Sequence, residues 1–394
     1  MASDDAPRGT TASDAALNTA SDAVRPDAAV ESEAVELTAA LVAIDSVNPG
    51  LVPGAAGEAA IVEHLRHRLS RGGFDTHVVQ APGHVGRPSL VAVSPAGAPG
   101  PTLVLTGHLD TVGVEGMDDP FGARVDGDRL EGRGACDMKG GVAAMVVAAE
   151  ELARRRLPGR VVLALVADEE DASLGTLAVL DALPGLGIEP DVAVIGEPTW
   201  LALAQSLRGY ALVEVTLEGR AAHSSQPEQG VNAVAHLGRL LAAVESRGSL
   251  VAERGGSLMV TVASGGESPF VLARHATAIV ERRTVRGERS EAALAEVEHL
   301  LVHLRLQDDT VSARARLVVA RDPWQLDDSG PAAALAADLS RAPGDDAASE
   351  PFHAPYWMEA PLWQAADIPT VVCGPAGGGL HAADEWVDLH QVRR

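Results

Sequence analysis

The chain has 394 residues, enough for two or three domains at ~150 residues each. Apolar residues make up 46% and charged residues 22%, the balance of a globular chain with a large core and not of a wholly disordered one. The net charge of −24 argues against a nucleic-acid or anionic-membrane partner, since both need basic patches that displace counterions. Of the 31 basic residues, one is a lysine, Lys139, and the rest are arginines. Two cysteines, Cys136 and Cys373, are too few for a disulfide framework or a four-thiolate zinc site. No run of ~18 apolar residues predicts a membrane span. The first 30 residues lack the basic start and apolar stretch of a secretory signal, so the cytoplasm is the expected compartment.

Residues 1–31, small and polar, are read as a disordered tail. A helix is predicted over 34–44, closed by Asn48-Pro49-Gly50. A second is predicted over 56–71, where Ile61, Leu65 and Leu69 recur at helical spacing before Gly72-Gly73. Apolar runs at 89–93 and 102–106 predict strands. A helix follows over 140–156, with Val142, Met145, Val146, Ala149 and Leu152 on one side and a basic last turn. Runs at 160–167, 191–195 and 369–373 predict further strands. Apolar strands alternating with helices predict a doubly wound α/β sheet covered on both faces.

Between about 207 and 320 the texture changes. Residues 210–218 alternate as a half-buried strand does, 231–246 are helical in period, and 258–263 and 276–284 read as strands. A helix over 290–304, with Ser290 as its cap, and a strand over 312–320 complete the order βαββαβ, a ferredoxin-like unit. The chain is thus expected to fold as an α/β domain from 32–206 and 321–394, interrupted by a smaller domain from 207–320.

Acidic residues and histidines follow the apolar strands. The run 102–106 leads into His108 and Asp110; 160–167 leads into Glu169 and Glu170; 191–195 leads into Glu197; and 369–373 leads through a glycine-rich stretch to His381. Ligands of open α/β sheets sit at the carboxyl ends of the strands, so these side chains are expected in one crevice. Asp137 precedes a Gly-Gly pair at the start of a helix. Each residue alone has a plain structural use: a hydrogen-bonded histidine, a solvated Glu-Glu turn, a loop start at Glu197-Pro198, a helix cap at Asp137. Together, histidines and carboxylates without thiolates suit zinc, cobalt or manganese. Asp110, two residues after His108, is placed to orient its imidazole. The carboxylates exceed what one tetrahedral zinc needs and fit two metals ~3.5–4 Å apart.

The segments GHLDTV (107–112), GRGACDMKGG (132–141), DEE (168–170) and GEPT (196–199), in this order, resemble the dinuclear zinc amidohydrolases and exopeptidases. That family includes acetylornithine deacetylase, succinyl-diaminopimelate desuccinylase, aminoacylase and glutamate carboxypeptidase. The resemblance covers roughly residues 32–390 and implies a catalytic α/β domain with an inserted ferredoxin-like lid and dimerisation domain. It implies that His108 and Glu197 bind one divalent metal ion, that Glu170 and His381 bind the other, and that Asp137 bridges them while Asp110 orients His108. Zn2+ is the implied ion, with Co2+ or Mn2+ as alternatives. Glu169 would be the general base toward a metal-bridging water.

Two lid segments join the resemblance. In RAAHSS (220–225), His223 would stabilise the oxyanion, and in dimeric relatives it comes from the second subunit, so a homodimer is implied. In Glu281-Arg282-Arg283, Arg283 would clamp a substrate carboxylate. The family's lid Asn, a few residues after a Gly-Gly pair, is replaced here in Gly265-Gly266-Glu267-Ser268-Pro269-Phe270. The expected activity is metal-dependent hydrolysis of an N-acyl amino acid or small peptide-like amide. A dipeptidase or carboxypeptidase on the same site is the alternative within enzymes, and a non-catalytic metal-binding scaffold is the alternative outside them. Lys139, two residues after Asp137, is a candidate cation for holding that loop near the carboxylates.

Overall fold

The structure, a computed structural model, describes residues 28–341 and 351–394. The chain opens with α1 (Ala28–Val42) and α2 (Ala59–Arg71), then β1 (Asp75–Gln80), β2 (Pro88–Val93) and β3 (Thr102–His108). A short pair, β4 (Arg124–Asp126) and β5 (Arg129–Glu131), leads to α3 (Gly140–Arg155), β6 (Arg160–Val166), α4 (Leu174–Ala182), β7 (Val192–Ile195) and β8 (Ala204–Leu207). The inserted unit is β9 (Gly209–Glu218), α5 (Ala233–Ala252), β10 (Ser257–Gly265), β11 (His275–Thr284), α6 (Ala292–Gln307) and β12 (Ser312–Arg321). The return comprises β13 (Trp324–Gln325), α7 (Pro331–Leu339), β14 (Phe352–Ala354), α8 (Ala360–Ala365), β15 (Thr370–Val372), β16 (Gly377–Gly378), β17 (Trp386–Asp388) and α9 (Leu389–Arg393).

The main sheet runs in the order β1-β2-β6-β3-β7-β15. β6, β3, β7 and β15 are parallel, while β2 pairs with β6 and β1 with β2 antiparallel, so a hairpin forms one edge of the parallel core. Alternate residues of β6 feed opposite cores: Val161, Leu163 and Leu165 pack with α1, α2 and α3, whereas Val162, Ala164 and Val166 pack on the other side with Val179 of α4 and Trp363 of α8. Apolar runs without alternation are what a sheet buried on both faces requires.

The inserted unit is the expected ferredoxin-like lid. Its sheet is antiparallel throughout, in the order β10-β11-β9-β12. Ala211, Val213, Val215 and Leu217 of β9 face the buried sides of α5 and α6, and the intervening residues face away from the helices. Each fully buried Leu or Val of such a core stabilises by about 1.5–3 kcal/mol.

Three details differ from expectation. Residues 28–31, assigned to the disordered tail, lie in α1, which starts six residues before the predicted helix; 1–27 lie outside the described residues. Ser290 does not cap α6; Glu291 is the N-cap, and the buried Ser290 hydroxyl instead bonds the Arg321 carbonyl and the Thr284 hydroxyl. Strand β1, helix α4 and the short β4–β5–β17 ladder carry no predicted element, because their apolar patterns are too short or too broken to register a period. Among the described residues no helix is long and apolar enough to cross a membrane, and both cysteines are free thiols.

Candidate metal centre

The carboxyl ends of the parallel strands converge as predicted. His108 is the last residue of β3, and Glu169 and Glu170 follow β6. Glu197 follows β7, and His381 lies on the loop between β16 and β17. Asp137 sits in an irregular turn, Ala135–Lys139, that runs into α3; its own backbone is not helical, and its peptide bond to Met138 is cis. The turn needs its glycines. Gly134 has φ +79°, and a Cβ on Gly141 would lie 2.1 Å from the Gly196 carbonyl oxygen, so α3 can start against the end of β7 only without a side chain there.

His108 is wholly buried. Its Nε2 lies 3.0 Å from Asp137 Oδ1 and 3.9 Å from Glu197 Oε1. Its Nδ1 lies 2.9 Å from the Asp110 main-chain carbonyl, which can only accept, so Nδ1 carries a proton and Nε2 is the nitrogen turned to the cluster. The Asp110 carboxylate is farther off, at 3.7 Å, and serves another purpose. It accepts the main-chain N–H groups of Glu169 (3.0 Å) and Glu170 (3.2 Å) and the Asn48 side-chain amide (2.7 Å). Asp110 therefore orients His108 with its backbone and shapes the Glu169-Glu170 turn with its side chain.

His381 Nε2 lies 3.3 Å from Asp137 Oδ2 and 3.1 Å from Glu170 Oε2, so Asp137 stands between the two histidines, one oxygen toward each. The donor atoms of His108, Glu169 and Glu197 lie within 4.8 Å of one another, as do those of His108, Asp137 and Glu170. Both histidines, Asp137 and three glutamates thus share one pocket of ligand atoms.

The electrostatics match a site meant for positive charge. Burial, then the neighbouring Glu197 charge, raises the Glu169 carboxyl well above its usual range. Burial and the Asp137 charge do the same to Glu197, and more mildly to Glu170. Burial also pushes Asp137 up, but hydrogen bonds from His108 and His381 outweigh it and hold the acid below the carboxylate range. His381 is raised to about 10 by its bonds to Asp137 and Glu170. Burial would lower His108, yet the Asp137 hydrogen bond and the Glu197 charge override it and raise it well above the usual value. Glu170 Oε1 is buried with no hydrogen-bond partner. An acidic cluster leaning on two imidazoles, with one oxygen orphaned, is a donor set that divalent cations satisfy.

The sequence did not point to the bed beneath this cluster. Arg87 bridges Glu58 Oε1 (2.6 Å) and Asp168 Oδ1 (2.7 Å), and the Asn48 amide joins Asp168 to Asp110. Glu359, at the start of α8, is nearly fully buried, accepts the Thr176 hydroxyl at 2.6 Å and is pushed up to about 7 by burial. Glu385 receives three main-chain N–H groups of the Asp137 turn. Lys139 is fully buried; its Nζ donates to the Ile44 carbonyl at 2.8 Å, tying the turn to the end of α1, and burial lowers it to about 7.

The two lid residues lie apart from the cluster. His223 is on the exposed loop between β9 and α5, beside the loop carrying Phe270 and Val271. The main-chain N–H of Ser225 donates to His223 Nδ1, which leaves Nε2 as the donor. Arg283, on β11, pairs with Glu281 and lies 5.3 Å from the centre of the Tyr210 ring. Tyr210 is raised, chiefly by burial. Arg321, aligned with Tyr210 on β12, reaches the Ala172 carbonyl of the acidic turn.

Known proteins resemble this chain in sequence and in fold. The chain is 27% identical over 348 residues to an acetylornithine deacetylase of Myxococcus xanthus, covering 85% of this chain and 88% of that one. It is 38% identical over 222 residues to a succinyl-diaminopimelate desuccinylase of Gluconobacter oxydans, covering 54% of this chain and about half (55%) of that protein's length. The fold superposes with a TM-score of 0.69 on the Bacillus subtilis YxeP protein, a dinuclear metal-binding peptidase of family M20, at 17% identity and over 93% and 95% of the two chains. The sequence profile of peptidase family M20/M25/M40 matches residues 104–394, which hold every residue of the ligand cluster. This chain therefore belongs to peptidase family M20/M25/M40 and is a metallohydrolase acting on amide bonds.

Proposed function

We propose that the protein hydrolyses the amide bond of an N-acyl amino acid, releasing a carboxylate and an amine, with Glu169 as general base. The observation that carries this is the position of Glu169 itself: it adjoins the ligand cluster, its main chain is pinned by Asp110, and its carboxyl has an affinity for protons well above that of a free glutamate. His108 and Glu197 would hold one divalent cation, Glu170 and His381 a second, with Asp137 between them; Zn2+ suits this donor set, and Co2+ or Mn2+ are alternatives. When bound, the cations acidify water and polarise the amide carbonyl.

The remaining steps belong to the chain. Glu169 takes the proton from the attacking water and passes it to the nitrogen as the C–N bond breaks. The Nε2–H of His223 stabilises the tetrahedral oxyanion. Arg283 offers its guanidinium to a substrate carboxylate, releasing Glu281. Because His223 touches no member of the ligand cluster among the described hydrogen bonds and ion pairs, it reaches the reacting carbonyl by lid closure or from a second copy. The second copy is favoured by β10, an edge strand that presents Met259 and Val262 to solvent, so a homodimer through the lid is part of the proposal. The cytoplasm is the proposed compartment, in keeping with two free thiols.

The test is amine release from acetyl, succinyl, formyl and longer acyl amino acids, with dipeptides alongside. Each is assayed after chelation and after return of Zn2+ or Co2+. Activity on an acyl amino acid that chelation removes and metal restores is expected. Turnover of dipeptides alone would favour a dipeptidase. No turnover of any substrate with metal bound would leave a binding scaffold.

A further inference from the structure

Glu385 is buried, with 1% of its surface exposed, and its carboxylate is fully engaged. Oε1 accepts the main-chain N–H groups of Cys136 (2.9 Å) and Asp137 (3.1 Å). Oε2 accepts that of Gly134 (3.0 Å) and the Arg133 Nη1 (2.6 Å). Arg133, equally buried, spends its other nitrogens on the carbonyls of Gly113 (2.9 Å) and Ala382 (3.1 Å). The Glu385 carbonyl in turn accepts Gly132 N–H at 3.1 Å.

The topology gives this pair its meaning. Trp386 of β17 pairs with Glu131 of β5. One segment leaves that ladder from Glu131 toward Asp137, and another enters it from His381 through Glu385. Asp137 and His381 therefore sit on loops that spring from neighbouring residues of one ladder, and Glu385 and Arg133 clamp those loops together. Resting on the metal-centre assignment above, we propose that Glu385 is a positioning residue for the two-cation site: its carboxylate, with Arg133, sets the separation of the Asp137 and His381 side chains and so the fit of the second cation. An anion is required. A glutamine would turn an N–H2 toward either Gly134 N–H and Arg133 or Cys136 and Asp137 N–H, placing donor against donor. Outer contacts of this kind typically change metal affinity by about 10–100-fold.

The experiment titrates metal-free protein with Zn2+ by calorimetry and follows its thermal unfolding separately. Wild type is expected to take up two ions. Glu385→Gln is expected to lose about 10–100-fold in affinity for one of them. Glu385→Asp, which keeps the anion but retracts it by one methylene, should lose less. Glu150→Gln is the control: Glu150 is a buried partner of Arg68 (2.6 Å) between α2 and α3, remote from the cluster, so it should lower the unfolding temperature and leave Zn2+ affinity alone. If Glu385→Gln does not fold, Glu385→Asp carries the test. Two ions bound at wild-type affinity by a folded Glu385 variant would overturn the proposal while leaving the metal centre intact. Wild type that takes up no ions would overturn both.

Discussion

The catalytic domain and the lid are built on different principles. On the catalytic domain the cluster's side chains, buried or half-buried apart from the exposed His381, are locked together: His108 is held by a backbone carbonyl, Glu169 and Glu170 by Asp110, and Asp137 by two histidines. On the lid, His223 and Arg283 are partly or fully exposed and bound only to lid neighbours, Ser225 and Glu281. The first arrangement is pre-organised for ions. In the proposed function, the second gains its partners when substrate arrives or a second copy docks. Preorganisation costs nothing at the moment of reaction, whereas a mobile group can add its binding selectively to the transition state.

That contrast predicts how variants separate. His223→Ala should lower kcat by about 10²–10³-fold, as loss of an oxyanion donor does, with two ions still bound per chain. If His223 acts across a dimer, mixing this variant with the inactive Glu169→Gln should restore part of the activity, since a hybrid dimer holds one complete site. Metal loss in His223→Ala would break the comparison, and no recovery on mixing would assign His223 to its own chain. Arg283→Ala should raise KM for a carboxylate-bearing substrate by about 10–100-fold, the weight of hydrogen bonds to a charged group, with a smaller effect on kcat. An unchanged KM would return Arg283 to a structural pair with Glu281.

The effect expected at Lys139, on the locked side, falls on stability and not on turnover. Its ammonium is depressed to about 7 in the fold against 10.5 in a free chain. Between those values the unfolded chain binds more protons, so this residue makes the fold gain stability as pH rises from about 7 toward 10.5. The slope is at most about 1.4 kcal/mol per pH unit. Lys139→Met should remove that slope from urea titrations of metal-free protein at pH 7 and pH 10. Lys139→Arg should destabilise the fold, because Lys139 is fully buried and a guanidinium is both larger and unable to shed its charge. Equal slopes in wild type and Lys139→Met would show that burial does not perturb this amine.

The same contrast explains what could be read from the chain. Strands β3, β6, β7 and β15 announce themselves as apolar runs, and His108, Glu169, Glu170 and Glu197, at or just past the ends of the first three, are placed there by simple counting. The six elements of the lid alternate or repeat clearly enough to give its order. The supporting layer was not legible. Asn48, Glu58, Arg87 and Asp168 meet beneath the acidic turn from four loops or helix ends, and no local spacing links them. Glu385 and Glu359 likewise gain their roles only from tertiary partners. Asn48, just before Pro49-Gly50, gave the one available signal, a polar residue at a sharp turn, and that pattern reads equally well as a helix stop.

The central claim is that Glu169 works as the base and not as a ligand, although its carboxylate lies close enough to His108 and Glu197 for either use. Metal stoichiometry and turnover of Glu169→Gln, measured on one preparation against an acyl amino acid that wild type cleaves, decide between them. Two ions per chain at wild-type affinity with turnover reduced by about 10²–10⁴-fold is the predicted result. Loss of an ion, or turnover near that of wild type, would contradict it.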